Sequence, residues 1–95
     1  MADVLNPDAL QHEVDRLDGW DGTSKDGISK QFTFEDFAGS IAFVNRVADQ
    51  AERAGHHPDL AVSWDTVTVT YITHSAGGVT QDDIEQARAI DGLSV

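Results

Sequence analysis

The stretch Glu52-Arg53-Ala54-Gly55-His56-His57-Pro58-Asp59-Leu60-Ala61-Val62-Ser63-Trp64-Asp65-Thr66-Val67-Thr68-Val69-Thr70-Tyr71-Ile72-Thr73-His74 decides how this chain is read. Gly55 can take the left-handed conformation that closes a helix, so the residues before it predict a helix C-terminus. Pro58 pushes its predecessor into extended geometry, so His56 and His57 must leave that helix. Leu60, Val62 and Trp64 alternate with Ala61 and Ser63, which predicts a strand. Asp65-Thr66 predicts a turn, and Val67 to His74, rich in β-branched residues, predicts the returning strand. A hairpin turning at Asp65-Thr66 brings His56, His57 and His74 to one open end.

Upstream, Phe37, Ile41, Val44, Ala48 and Ala51 recur at helical spacing and predict a core stripe, broadened by Ala38, Ala42 and Phe43. Thr33 is the expected cap of this helix, with Glu35 and Asp36 in its first turn. Before it, Ile28 to Phe34 alternates and predicts a strand paired with Trp20 to Thr23 across the turn Ser24-Lys25-Asp26-Gly27. Lys30 among the apolar alternates places its end of that strand near a sheet edge. Asn6-Pro7-Asp8 opens a first helix carrying Leu10, Val14 and Leu17 on one face, with Gly19 as its stop. His12 lies among polar neighbours and reads as exposed and inert.

Downstream, Ser75-Ala76-Gly77-Gly78 is a loop. Thr80 and Asp83 form a capping-box pattern for a last helix carrying Ile84, Ala87 and Ile90. The order is α-β-β-α-β-β-α. It predicts one α+β domain over residues 1–95: a four-stranded antiparallel sheet with helices on one face.

Composition narrows the function. Seventeen acidic residues face six basic ones, a formal net charge of -11, which repels phosphate backbones and argues against a nucleic-acid partner. The acids are dispersed, as on a strongly solvated surface, and with so few lysines they suit a salt-rich cytosol. Cysteine is absent, which excludes disulfides and thiolate chemistry. No secretory pattern or apolar run of spanning length is present, so a cytoplasmic protein without membrane contact is expected.

The chemistry therefore rests on histidine, whose ordinary pKa suits proton exchange near neutrality. Three of the four histidines lie in the opening stretch. A metal site using Glu52, His56, His57 and His74 is the weaker reading, because adjacent histidines seldom share one ion and the paired helical arrangement of metalloproteases is missing. No metal and no cofactor is expected. No nucleophile elbow or phosphate loop is present either.

The pattern Glu52-x3-His56-His57-Pro58, Trp64, His74 and Asp83 resembles the signature of the pterin-4a-carbinolamine dehydratases. The match extends upstream through Phe32-x-Phe34-x-Asp36-Phe37 and Leu17-x-Gly19-Trp20, and covers about residues 10 to 92. The resemblance implies a hydro-lyase that removes water from a 4a-hydroxytetrahydropterin to give the quinonoid dihydropterin. It further implies His57 and His74 as proton-transfer groups, and His56 as the group holding or polarising the hydroxyl. Asp83 then orients a histidine, Glu52 supports another, and Trp20, Pro58 and Trp64 belong to the pocket. The family assembles as dimers or tetramers, so a homodimer or homotetramer is expected, joined at an open sheet edge. Ala76 replaces a cysteine of animal members. Leu60 stands where many members have an aromatic residue, and Trp64 where others have tyrosine. The competing class is a non-catalytic oligomeric module that binds a pterin or a protein partner.

Overall fold

The first helix starts where the sequence supplies its cap. In the computed structural model, which describes residues 3–93, the Asn6 side chain accepts from the Ala9 amide at 2.8 Å and Pro7 occupies the first turn of α1 (Pro7–Asp15). The helix ends at Arg16, short of Gly19, and leaves Leu17 buried behind it. Two strands follow, β1 (Asp21–Thr23) and β2 (Gly27–Thr33), then α2 (Phe37–Ala54), β3 (Asp59–Ser63), β4 (Thr66–Tyr71) and α3 (Gln81–Leu93). The expected order is thus observed among the described residues.

All pairings are antiparallel and the strands lie in the order β1-β2-β4-β3. The central seam pairs Ile28 with Tyr71 and Phe32 with Val67, which sets their side chains on one face. That face is buried against Leu10 and Val14 of α1, Phe43 and Val47 of α2, and Ile84, Ala87 and Ile90 of α3. Helices on one side of an antiparallel sheet define the α+β class. The other face carries Ser29, Gln31, Thr68 and Thr70. Lys30 is the first residue of β2 beyond the reach of β1, whose register ends at Ser29. Its ammonium lies 3.0 Å from Asp91 and 4.9 Å from the Phe32 ring centroid, so the charge is compensated within a largely apolar surface.

Several boundaries differ from the sequence expectation. Asp36, not Thr33, caps α2, because its carboxylate accepts from the Gly39 amide at 2.7 Å while Thr33 still pairs in β2. The two-residue hairpin turn is Trp64-Asp65, one position earlier than expected, since Ser63 pairs with Thr66. β4 stops at Tyr71, and His74 belongs to a tight turn closed by the bridge between Thr73 and Gly78.

The largest correction concerns α2. Its buried stripe is Ser40, Phe43, Val47 and Ala51, whereas Phe37 is 55 % exposed, Ile41 36 %, and Ala48 open. Apolar residues lie on more than one flank of this helix, and only one flank meets the sheet and α3. Phe43 sits at the centre of that flank, with ring centroids 4.7 Å from Phe32 and 5.1 Å from Phe34. Phe43→Ala is therefore expected to destabilise the fold by about 3–5 kcal/mol through lost burial and a residual cavity. Urea unfolding monitored by circular dichroism measures it; a loss below about 1 kcal/mol would contradict this packing.

Candidate active site

α2 delivers the first histidines. Gly55 caps the helix with φ +68°, and its own N–H returns to the Ala51 carbonyl. The chain then turns outward through His56, His57 and Pro58 into β3. His56 is directed inward and His57 outward, so adjacent residues serve different surroundings.

Each of His56, His57 and His74 faces its own carboxylate. His56 Nε2 lies 2.5 Å from Asp83 Oδ1, His57 Nε2 lies 2.9 Å from Glu52 Oε2, and His74 Nε2 lies 3.9 Å from Asp59 Oδ2. The settings are graded: the His56 side chain is only 20 % exposed, whereas His57 and His74 are mostly in solvent. In each pair the Nε2 edge faces the acid. For His56 and His57 it is hydrogen-bonded, so Nδ1 is the ring nitrogen that takes no part in the contact with the acid.

Asp83 is the anchor of the inner pair. It is completely buried in the first turn of α3. The Thr80 amide donates to its Oδ2 at 2.8 Å and the Thr73 hydroxyl at 2.7 Å. The expected capping pattern is thus present in one arm, with the carboxylate reaching back to the Thr80 amide. Beside His56 an open cleft of about 410 Å³ is lined by Ala54, Gly55, His56, Asp82, Glu85 and Gln86. That size falls in the range of about 300–1,000 Å³ usual for small-molecule sites.

The structure therefore brings together His56 with Asp83 and His57 with Glu52, and Pro58 follows both histidines in the chain. His74 stands over Asp59, which follows Pro58. The two tryptophans lie elsewhere. Trp20 is buried in the core, edge-on to Phe32, with its indole N–H donating to Asp91 at 3.0 Å. Asp91 is two turns along α3 from Asp83, about 12 Å along the axis. Trp64 occupies the hairpin turn with φ +20° and is 63 % exposed. It stands at the opposite end of β3 from His57, roughly 16 Å along the strand. Within one chain, neither indole forms a wall beside the histidines.

The sequence did not single out Asp59, Thr73 or Tyr71 as site residues, and it marked Thr80 only as a helix cap. The spacing of Thr80 from Asp83 was the only signal available for Thr80, and the partnership of Asp59 with His74 depends on the hairpin register. Among the described residues, no three His, Asp or Glu side chains converge as a metal-holding group.

A small α+β domain with carboxylate-backed histidines at one sheet end defines a class of protein suited to proton transfer on a bound small molecule. The sequence matches the family model for pterin 4 alpha carbinolamine dehydratase over residues 3–93, and the chain belongs to that family. A protein of Thermosynechococcus vestitus named for the same dehydratase is 50 % identical over 95 residues, covering 100 % of this chain and 99 % of its own. One from Nocardia farcinica is 47 % identical over 92 residues, covering 97 % and 96 %. The crystal structure of a transcriptional coactivator/pterin dehydratase from Brucella melitensis superposes with a TM-score of 0.89 at 33 % identity, covering 96 % of this chain and 98 % of that one. A pterin dehydratase-like protein described as a RuBisCO assembly factor of the alpha-carboxysome shares the fold, with a TM-score of 0.68 at 23 % identity over 80 % and 89 % of the two chains.

Tyr71 adds a titration that can be read directly. Burial, reinforced by the nearby Asp83 carboxylate, pushes its phenol from 10.0 up to about 12. The folded chain thus holds this proton where an unfolded chain releases it. The associated stability is complete below pH 10 and is lost as pH rises through about 12. Tyr71 is the only tyrosine, so phenolate absorbance in the folded protein follows this group alone. The expected titration midpoint lies well above 10, with stability falling across the same window. A midpoint at 10 would show the phenol to be exposed.

Proposed function

We propose that this protein dehydrates a 4a-hydroxytetrahydropterin to the quinonoid dihydropterin and water. The observation that carries the reading is the set of three histidines at one end of the sheet, each facing a separate carboxylate. The reaction breaks the C4a–O bond and forms the N5=C4a bond. One proton is delivered to the departing hydroxyl and one is taken from N5, so the protons balance and no electron acceptor enters. His57 and His74 stand in solvent, where they can exchange protons with water between turnovers, and they serve as the acid–base pair. His56, tied to a buried carboxylate and bordering the cleft, holds the hydroxyl with its free Nδ1. Glu52 and Asp59 orient the two exposed rings.

The test is a dehydration assay on a synthetic 4a-hydroxytetrahydropterin, run with and without a strong chelator. His57→Ala and His74→Ala are each expected to lower the rate by roughly 10²–10⁴-fold, the usual contribution of a positioned acid or base, with circular dichroism unchanged. Chelator is expected to leave the wild-type rate intact. Near-normal turnover in both variants would remove the acid–base assignment. An inactive wild type would turn the reading toward a non-catalytic binding module.

The site is proposed to work in a homodimer or homotetramer in the cytoplasm, with no membrane or nucleic-acid partner. β3 lies at the sheet edge with all five residues exposed, Leu60 and Val62 among them, and an open edge is a pairing template. A two-fold pairing of β3 joins two sheets, and the uncovered flank of α2, with Phe37 and Ile41, offers an apolar surface for a further contact. Among the described residues no helix is long and apolar enough to cross a membrane. Light scattering at micromolar concentration, from dilute buffer to molar KCl, is expected to give two or four chain masses. The melting temperature should rise along the same series as carboxylate repulsion is screened. A single chain mass throughout would exclude edge pairing, and a flat melting temperature would remove the adaptation to a salt-rich cytosol.

A further inference from the structure

Tyr71 lies against His56, and none of the proposed proton transfers uses it. The phenol and imidazole rings stack with centroids 5.4 Å apart and planes inclined by 24°. Tyr71 is fully buried and ends the inward row of β4 that begins with Val67 and Val69. It is thus part of the rigid central seam, paired with Ile28. His56, by contrast, lies in the short irregular link between α2 and β3.

An imidazole tethered at Cβ and hydrogen-bonded at Nε2 is still free to roll about the line joining those two points. Asp83 fixes the far nitrogen but not the plane of the ring. A flat aromatic surface against one face stops the roll of a ring that also lines the cleft. We infer that Tyr71 is a positioning residue for His56, whose ring stack fixes the imidazole plane so that Nε2 stays on Asp83 and Nδ1 meets the substrate.

The hydroxyl has a different status from the ring. It has no hydrogen-bond partner among the described residues. The nearby Asp83 carboxylate already accepts from His56 on Oδ1, and from Thr73 and the Thr80 amide on Oδ2. With the phenol pushed up to about 12, Tyr71 remains neutral wherever the histidines work. The ring face, not the hydroxyl, is the part that acts on His56.

The kinetic arm of this inference rests on the dehydratase reading, whereas its spectroscopic arm does not. The experiment compares wild type, Tyr71→Leu and Tyr71→Phe in isotopically labelled full-length protein, measuring kcat, KM and the imidazole resonances of His56. In the wild type, ring-current shielding from Tyr71 is expected to displace the carbon-bound protons of His56 upfield. Tyr71→Leu keeps an apolar side chain but removes the ring. It is expected to lower kcat roughly 2- to 10-fold with KM little changed, the scale of a single aromatic stack. It should also abolish the upfield displacement and blur the nitrogen signals as the imidazole gains freedom. Tyr71→Phe should restore both kcat and the His56 resonances.

A wild-type spectrum without the displacement would overturn the inference, as would Tyr71→Leu with unchanged kcat and unchanged His56 signals. A folded Tyr71→Phe as impaired as Tyr71→Leu would overturn it too, by assigning the effect to the hydroxyl. If Tyr71→Leu does not fold, the wild-type displacement and the Tyr71→Phe rate still decide. An inactive wild type with the displaced His56 resonances would defeat the dehydratase reading while supporting the placement of the ring.

Discussion

A carboxylate with no access to water is the constraint around which this structure is arranged. Asp83 is fully enclosed, and an enclosed charge is tolerated only when donors replace the lost hydration. Those donors come from three separate places: His56 from the link after α2, Thr73 from the turn after β4, and the Thr80 amide at the start of α3. One side chain therefore pins the ends of two helices and a strand to a common point. Removing any one donor leaves part of the charge unmet, so the three segments are coupled through one carboxylate. The fixed position of His56 follows from a requirement of solvation before any requirement of catalysis.

The outer histidines obey a different rule. His57 and His74 pair with Glu52 and Asp59, and all four side chains are mostly in solvent. Exposed pairs of this kind contribute little to stability, so their arrangement is not explained by folding energetics. One histidine is thus largely enclosed and two stand mostly in solvent. The fold alone does not specify this division. The same architecture is found in the Brucella melitensis coactivator/dehydratase and in the carboxysome assembly factor, so the side chains at the sheet end carry the functional argument.

Much of this was legible in the chain, and the failures have physical causes. Gly55 and Pro58 locate the end of α2 and the start of the extended segment because each residue restricts the backbone on its own. The order of elements followed from such local signals. The buried side of α2 did not, because Phe37, Ile41 and Val44 are as apolar as Phe43 and Val47, and periodicity cannot say which flank meets the sheet. The histidines and Asp83 were visible as a spaced pattern. Asp59 was not, because it reaches His74 only through the register of β3 on β4. Trp64 was misplaced for the same reason: alternation puts it in line with Leu60 and Val62, but the strand ends at Ser63 and the indole is carried away by the turn. Tyr71 looked like another core residue of a β-branched strand, and its contact with His56 depends on the path of the link that follows α2.

The seam between β2 and β4 has a kinetic consequence. The hairpins β1-β2 and β3-β4 close over short turns and can form from local sequence. Their junction, with Ile28 against Tyr71, unites residues about forty positions apart, with the whole of α2 between them. His56 and Tyr71 meet only after that long loop has closed, and Asp83 can be enclosed only after α3 has docked over both. The contact between His56 and Tyr71 thus depends on long-range closure that no single hairpin supplies. A nascent or partly folded chain, although it already contains every histidine, presents an unpaired strand edge and no assembled centre.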